Sequence, residues 1–354
     1  MKALHKHKIF AAVLTFFLLV LVFLASRLSR DQQVPKPPLF RPNSQFAIGV
    51  NYPWRSYGGD FGATVWGAHN GISTATATAE VDADFQHISA LGLKVVRWFV
   101  FCDGRGGLTF AKDGQVSGID RYVINDMHSA LELAHKHNIR VIFVLLDFNF
   151  AQKSVWASGA QVGGHRKVIE NVAYTQSFQE LALAPLLSAF GQSEDIAAWE
   201  IINEPEWVMT AYPFWQIKKI DEKKMQAFVL TTALFIKARA KQPVTVGSAS
   251  REGLQYWQNS ALDFLQFHSY PNLERKNPLD TLVSDLGLSV PVILGEFPSQ
   301  NTDKDTGQYF DLMYKNGYLG ALVWSYRAQD KYTNLAAQEP SITAWHKAHP
   351  GAKP

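Results

Sequence analysis

Two short stretches place carboxylates where a carboxylate is costly. WEIINEPEWV (199–208) runs from apolar residues into Asn203, Glu204, Pro205 and Glu206, and PVILGEFPS (291–299) does the same at Glu296. An ionised side chain at the end of a buried strand needs a partner or a purpose. Two such carboxyl groups facing each other can divide a reaction between them, one attacking and the other protonating a departing oxygen. Taken singly, either glutamate could be a loop-edge acid paired with Arg97 or a lysine. Their recurrence at two strand ends, with an asparagine directly before one of them, favours a reactive pair.

The elements that would position them alternate along the chain. FAIGVNY (46–52), LKVVRWFVF (93–101), RVIFVLLDF (140–148), IAAWEIIN (196–203), PVTVGS (243–248), DFLQFHSY (263–270), PVILGEF (291–297) and LGALVWSY (319–326) read as eight strands. Helical patterns lie between them, at 81–92, 119–138, 167–190 and 221–240. Near-continuous apolar strands separated by helices indicate a parallel sheet covered on its outer face. Eight units in about 300 residues fit a (β/α)8 TIM barrel. A doubly wound sheet would need a phosphate-binding glycine loop after its first strand, and Gly49-Val50-Asn51-Tyr52-Pro53 is not one.

In that layout the polar residues collect at strand C-terminal ends: Asn51, Arg97, Asp147 with Asn149, Asn203 with Glu204, His268 with Tyr270, Glu296, and Trp324. Barrel enzymes assemble their active sites at that end. Glu200, inside its strand, is expected to partner a buried arginine, and Glu206 to lie on the rim. Trp54, Trp66, Trp98, Trp156, Trp207 and Trp215 all fall at or just beyond strand ends. Each alone reads as packing, but together they make a sugar-binding cleft plausible, because aromatic faces stack on pyranose rings. His5, His7, His135 and His137 show no ligand spacing tied to a carboxylate, so neither a catalytic metal nor another cofactor is expected. Cys102, the single cysteine, reads as a small buried hydrophobe.

WEIINEPEW and ILGEFPS resemble the two signatures of the retaining glycoside hydrolases built on (β/α)8 barrels, and more narrowly of glycoside hydrolase family 5, the cellulase and β-mannanase family. The resemblance spans residues 46 to about 348. It implies that Glu204 is the acid/base and Glu296 the nucleophile. By the same resemblance Arg97 lies below the nucleophile, Asn203 holds the sugar 2-hydroxyl, His268 and Tyr270 contact the acid/base and the nucleophile respectively, and Trp324 stacks beneath the sugar. Many members end the third strand with Asp-x-His, whereas this chain has Asp147-Phe148-Asn149. Asn149 can hydrogen-bond a hydroxyl but carries no charge, which leaves the sugar preference open. Retention requires the carboxyl groups about 5 Å apart and in different protonation states. Arg97 and Tyr270 are expected to stabilise ionised Glu296, whose charge, with partial burial, should raise the pKa of Glu204.

The 354 residues include 34 Lys+Arg and 31 Asp+Glu, for a formal charge of +3, with 47% hydrophobic residues. Five of the basic residues (Lys2, Lys6, Lys8, Arg27 and Arg30) flank a single apolar run, so no basic face for nucleic acid is indicated. That run, IFAAVLTFFLLVLVFLA at 9–25, reads as an uncleaved transmembrane signal-anchor, with a cleaved secretion signal as the alternative. The lysines before it place residues 1–8 in the cytoplasm and the catalytic domain on the extracytoplasmic side. Residues 26–44, rich in proline, read as a linker, and residues 45–354 as the catalytic domain. The expected activity is retaining hydrolysis of β-linked glucan or mannan-type saccharides by a monomer, its partners being the saccharide and the membrane. Two rivals differ from it. One is an inactive carbohydrate-binding barrel, the other a barrel trimming nascent polysaccharide in an envelope export system.

Overall fold

The computed structural model describes residues 36–157, 160–210, 219–271 and 279–350. The chain divides into Met1–Pro37 and a unit formed by Pro38–Pro354. The expected membrane anchor at 9–25 lies outside the described residues. Among the described residues, no helix is long and apolar enough to cross a membrane.

Eight parallel strands close into a barrel: β1 (Ala47–Asn51), β2 (Val95–Phe99), β3 (Arg140–Asp147), β4 (Ile196–Asn203), β5 (Val244–Ser248), β6 (Leu265–His268), β7 (Val292–Pro298) and β8 (Gly320–Trp324). Each pairs with the next in the chain, and β8 returns to β1 through Ala47 opposite Gly320. Every residue of β1, β2, β4, β5, β6 and β7 is buried. This follows from the layering, because one face of each strand fills the barrel and the other packs on helices. The eight expected strands are all present, their ends shifted by at most two residues.

Among the described residues, five longer helices surround the barrel: α1 (Ala75–Ala90), α2 (Val123–Lys136), α3 (Glu222–Lys237), α4 (Thr306–Lys315) and α5 (Glu339–Ala348). Helix α1 starts six residues before its expected position. Its first turns, ATATAE, offer only Ala77 to the core before the stripe Val81, Phe85 and Ile88, so periodicity alone misses them. The stretch expected as one helix from Lys167 to Phe190 is broken. Asn171 adopts an extended conformation and caps a new helix by accepting from Ala173 N, and a π turn (Gln179–Leu183) precedes Pro185, which has no N–H to continue the ladder.

The packed unit also begins earlier than Gln45. Leu39 and Phe40 are buried among Ala47, Val95, Ile142, Phe264 and Ile293, with the Phe40 and Phe264 rings 4.7 Å apart. Residues 38–44, expected as the end of an extended linker, therefore belong to the barrel unit. The two phenylalanine rings fill space beside the small Ala47 and Gly320, where a larger side chain at Gly320 would meet the Phe40 ring at 3.2 Å.

Candidate active site

Arg97 organises the barrel's upper interior. Side chains alternate along β2, so Arg97 points into the barrel while its neighbour Trp98 points outward, packing against Tyr52, Phe61 and Phe85. Trp98 is therefore core and does not line the cleft. Arg97 donates to both oxygens of Glu200 (2.7 and 2.6 Å), to Asn51 Oδ1 (2.9 Å), to Asn203 Oδ1 (2.7 Å) and to Glu296 Oε1 (2.6 Å). All five guanidinium N–H groups are thereby used, in the fork geometry that arginine alone offers. Burial by itself would pull the guanidinium down, but Glu200 and then Glu296 outweigh it and its pKa is raised. Glu200 is the structural partner expected of it, and accepts a further bond from Gln266 Nε2 at 2.6 Å.

This polar layer needs room. A Cβ on Gly247 would lie 2.4 Å from Glu200 Oε1 and 2.9 Å from Arg97 Nη2, and one on Gly295 would lie 2.5 Å from Gln266 Oε1. Glycine at these two strand positions is what lets the ion pair sit inside the barrel. Register shifts occur at Glu200/Asn203 in the β4–β5 pair, at Phe267/His268 in β6–β7, and at Leu294/Phe297 in β7–β8. The first two reach the C-terminal ends of their strands and the third brackets Glu296, where an irregularity re-aims the side chains that follow.

The two signature glutamates come together there. Glu296 stays within β7, almost fully buried, its Oε1 bound by Arg97 and its Oε2 accepting from the Tyr270 hydroxyl at 2.8 Å. Glu204 lies one residue beyond β4 in the left-handed region (φ 46°, ψ 47°), with its N–H donating to Gly247 O. That conformation is unfavourable for a non-glycine residue, more so before a proline, and is imposed by the turn from β4 into the 3-10 turn Pro205–Val208. Glu204 Oε1 is 2.7 Å from His268 Nδ1, and its Oε2 accepts from Trp207 Nε1 at 2.8 Å. One ligand atom each from Glu204, His268 and Glu296 lie within 4.8 Å of one another. The fold thus creates a trio that could also seat a cation and that sequence spacing could not reveal, although all three groups already take part in hydrogen bonds.

The remaining expected residues join the same pocket, a cavity of about 250 Å³ lined by Trp54, Asp147, Asn149, Asn203, Tyr270 and Trp324, among others. Asn203 is held from two sides, by Arg97 and by its own Nδ2 donating to Asp147 Oδ2 at 2.9 Å. Asn149, standing where many relatives of the resembled family have histidine, bonds Asp147 through both its backbone and its side chain. Trp324 faces Trp54 at 6.4 Å and donates its indole N–H to Asp330 at 2.7 Å. Tyr57, Asp330 and Tyr332 line the pocket as well. They sit in loops after β1 and β8 with no motif around them, and no signal in the sequence marks them.

Glu206 corrects the expectation of a rim residue. It is fully buried, accepting from Ala249 N (3.1 Å) and Trp257 Nε1 (3.2 Å), because the 3-10 turn folds back against the loop after β5. Trp207 donates its indole N–H to Glu204, Trp66 and Trp156 are exposed, and Trp215 lies outside the described residues. Cys102 is buried, as expected.

Electrostatically the site is a cluster of acids in a dry setting. Burial, with a smaller contribution from Glu200, raises Glu204 to about 7, opposed by the Trp207 bond and by Arg97. The charge expected to drive this shift was that of Glu296; burial comes first, and the neighbouring charge that adds to it is Glu200. Glu296 is also raised, again mainly by burial and then by Glu204, against His268, Arg97 and Tyr270. Burial lowers His268 to about 4, so its ring is neutral near pH 7. Asp147 is raised to about 6 by burial, its bonds to Asn203 and Asn149 opposing.

No family model matches the chain. A mannan endo-1,4-β-mannosidase from Mytilus edulis is 26% identical over 320 residues, covering 79% of this chain and 83% of the mussel enzyme. One from Cryptopygus antarcticus is 27% identical over 340 residues, covering 82% and 83%. The crystal structure of an endo-1,4-β-mannanase from Eisenia fetida superposes with a TM-score of 0.73 at 25% identity, over 85% of this chain and 91% of that one. In strand order, in signature motifs and in these relatives, the chain is similar to the β-mannanase-like glycosidases of glycoside hydrolase family 5.

Proposed function

We propose that the chain hydrolyses β-1,4-linked mannan at internal bonds with retention of configuration, Glu296 attacking the anomeric carbon and Glu204 acting as acid and then base. The observation that carries the mechanism is the meeting of the two carboxylates, one oxygen of each within 4.8 Å of one of the other, with unlike partners on each. Inverting enzymes hold their carboxyl groups roughly 6.5–9.5 Å apart to admit a water, whereas a covalent glycosyl-enzyme needs about 5–5.5 Å. Glu296 faces two donors, one of them cationic, and is suited to react as the anion. Glu204 faces a neutral ring and an indole, and its raised pKa keeps a proton available near neutrality. Once Glu296 is esterified its charge is gone, and Glu204 can take a proton from water. Trp324 and Trp54 offer ring faces to the sugar, and Asn203, fixed by Arg97 and Asp147, offers an amide to a hydroxyl. The substrate class rests on the relatives, both of them mannan endo-1,4-β-mannosidases.

The test is release of reducing sugar from β-1,4-mannan by the full-length chain, followed by azide rescue of two variants on an aryl β-mannoside. Glu296→Ala opens the face opposite the leaving group, so azide attacks once and gives the α-glycosyl azide. Glu204→Ala leaves the nucleophile, so azide meets the covalent intermediate and gives the β-azide. Reversed anomers would exchange the two roles, and rescue of neither variant would remove the two-carboxylate mechanism.

For placement, we propose that residues 9–25 hold the protein in a membrane with the barrel on the extracytoplasmic side, the apolar run and its leading lysines being the support. A mature N-terminus beginning beyond Ala25 would replace the anchor with a cleaved signal.

A further inference from the structure

The catalytic pocket does not end at its own lining. From Trp324 a line of ring contacts runs outward along the mouth of the barrel: Trp54 at 6.4 Å, then Tyr57 at 4.8 Å from Trp54, then the Arg105 guanidinium 4.4 Å over the Tyr57 ring and 5.7 Å from the Trp66 ring. The Trp66 indole N–H donates to Ala157 O at 3.0 Å, one residue from Trp156 in the hairpin Val155–Ala157/Ala160–Val162. Trp156 is 74% exposed and Trp66 39% exposed, and Val65 and Val155 beside them are exposed as well. Four of the large exposed hydrophobic residues of the described chain thus lie at one end of this line.

This surface is held in shape. Thr64 bridges Gly106, Val65 N donates to Arg105 O at 2.7 Å, and Gly163 N donates to Asp103 O at 3.1 Å, so the loops after β1, β2 and β3 are stitched together. Arg105 is clamped by Asp103 through two parallel bonds, Nε to Oδ1 at 3.0 Å and Nη2 to Oδ2 at 2.7 Å. With Arg105 paired in this way, the patch keeps the exposed Lys153, two residues before Val155, and, among the described residues, no cluster of cations around its rings. That suits neither an anionic lipid surface nor a nucleic acid, both of which need several uncompensated cations together. Flat, rigid aromatic faces with polar edges do suit a neutral polyhydroxylated chain.

We propose that Trp66 and Trp156, joined to the pocket through Tyr57 and Arg105, form a distal binding surface for the polysaccharide substrate, gripping sugar units several residues away from the bond being cut. The inference rests on the proposed glycan hydrolysis and adds to it a preference for polymer over short substrates. Binding energy gathered there is available only to chains long enough to reach it, so it appears in kcat/KM for polymer and is lost to small glycosides.

The experiment compares kcat/KM on β-1,4-mannan with kcat/KM on an aryl β-mannoside, using the full-length chain and its Trp156→Ala and Trp156→Phe variants. The polymer-to-aryl ratio should fall roughly three- to tenfold in Trp156→Ala, the range expected for one aromatic stacking contact, and recover most of the way in Trp156→Phe. An equal loss on both substrates would make Trp156 merely structural, and an unaltered ratio would assign the surface elsewhere; either result overturns the proposal. Should the wild-type chain cleave neither substrate, the functional reading fails while the surface stays testable. Retardation of the chain in a gel containing β-1,4-mannan, weakened in Trp156→Ala, would sustain the surface, and identical mobility would overturn it.

Discussion

The two glutamates of this site are the same residue type set in opposite surroundings. Glu296 belongs to a regular strand inside the barrel and is tied to a buried cation and a phenol. Glu204 stands just past its strand in a strained left-handed conformation, its side chain 17% exposed to the pocket, between a neutral imidazole and an indole. In the proposed mechanism the difference divides the work. A nucleophile must be anionic and fixed on one trajectory, which a strand and Arg97 supply. An acid that later becomes a base must exchange a proton, which suits a position at the mouth with neutral partners and a pKa near 7.

The sharpest way to break this contrast is to remove the cation. Arg97→Met would leave Glu200 and Glu296 buried without a counter-charge, and Asn51 and Asn203 without their donor. Loss of one partner from a buried ion pair costs roughly 3–5 kcal/mol, so the unfolding free energy measured in denaturant should fall by that order and activity should collapse with it. Acidification should narrow the deficit, because the stranded carboxylates can then protonate. Adding Glu200→Gln to Arg97→Met should recover part of the lost stability. A change below about 1 kcal/mol would mean that Arg97 is not what holds the layer together.

Much of this was readable in the chain itself, for a physical reason. A parallel barrel buries both faces of its strands, so runs such as RVIFVLLD and IAAWEIIN announce themselves, and their polar final residues stand out against them. Features made by contacts distant in sequence were not readable. Glu206 looks like a loop acid until the backbone N–H of Ala249, 43 residues on, closes over it. Phe40 looks like part of a proline-rich linker until Phe264 meets it. Trp98 sits beside a site residue yet belongs to the core, because neighbours on a strand face opposite ways. Tyr57, Asp330 and Tyr332 reach the pocket from loops whose path no local pattern sets.

A smaller effect should follow from neutralising the acid while keeping its shape. In the proposed mechanism the reactive form has Glu296 ionised and Glu204 protonated, so kcat/KM should rise with pH as Glu296 ionises and fall as pH passes through about 7. The two limbs belong to the coupled pair, and both lie above the ordinary carboxylate range. Glu204→Gln should abolish the basic limb and reduce turnover of mannan by about 10²–10⁴-fold, with a much milder loss on an aryl mannoside whose leaving group needs no proton. Stability should respond as well. The folded pKa of Glu204 is raised from 4.5 to about 7, so its contribution is fully present below its unfolded pKa and disappears as pH rises through 7. Melting temperatures of Glu204→Gln should therefore change less between pH 5 and pH 8 than those of the wild type. A basic limb that persists in this variant would assign the acid's role to another group.

The smallest effect probes the acid's own surroundings. Trp207 comes from the 3-10 turn that follows Glu204, and its indole N–H donates to Oε2, favouring the ionised form and holding the group below the value that burial alone would set. Trp207→Phe keeps most of the ring and deletes the donor. The basic limb should move to higher pH, since the acid then holds its proton longer, and should move further than the acidic limb of the same coupled pair. Near pH 7 the variant should lose only a few-fold in rate, the scale of one hydrogen bond worth about 0.5–1.5 kcal/mol, because orientation suffers while the protonated fraction rises. Above pH 8 the curves of variant and wild type should converge or cross. A basic limb shifted to lower pH would show that the indole favours the protonated acid, and both limbs moving by the same amount would show that the two glutamates are not set independently by their different partners.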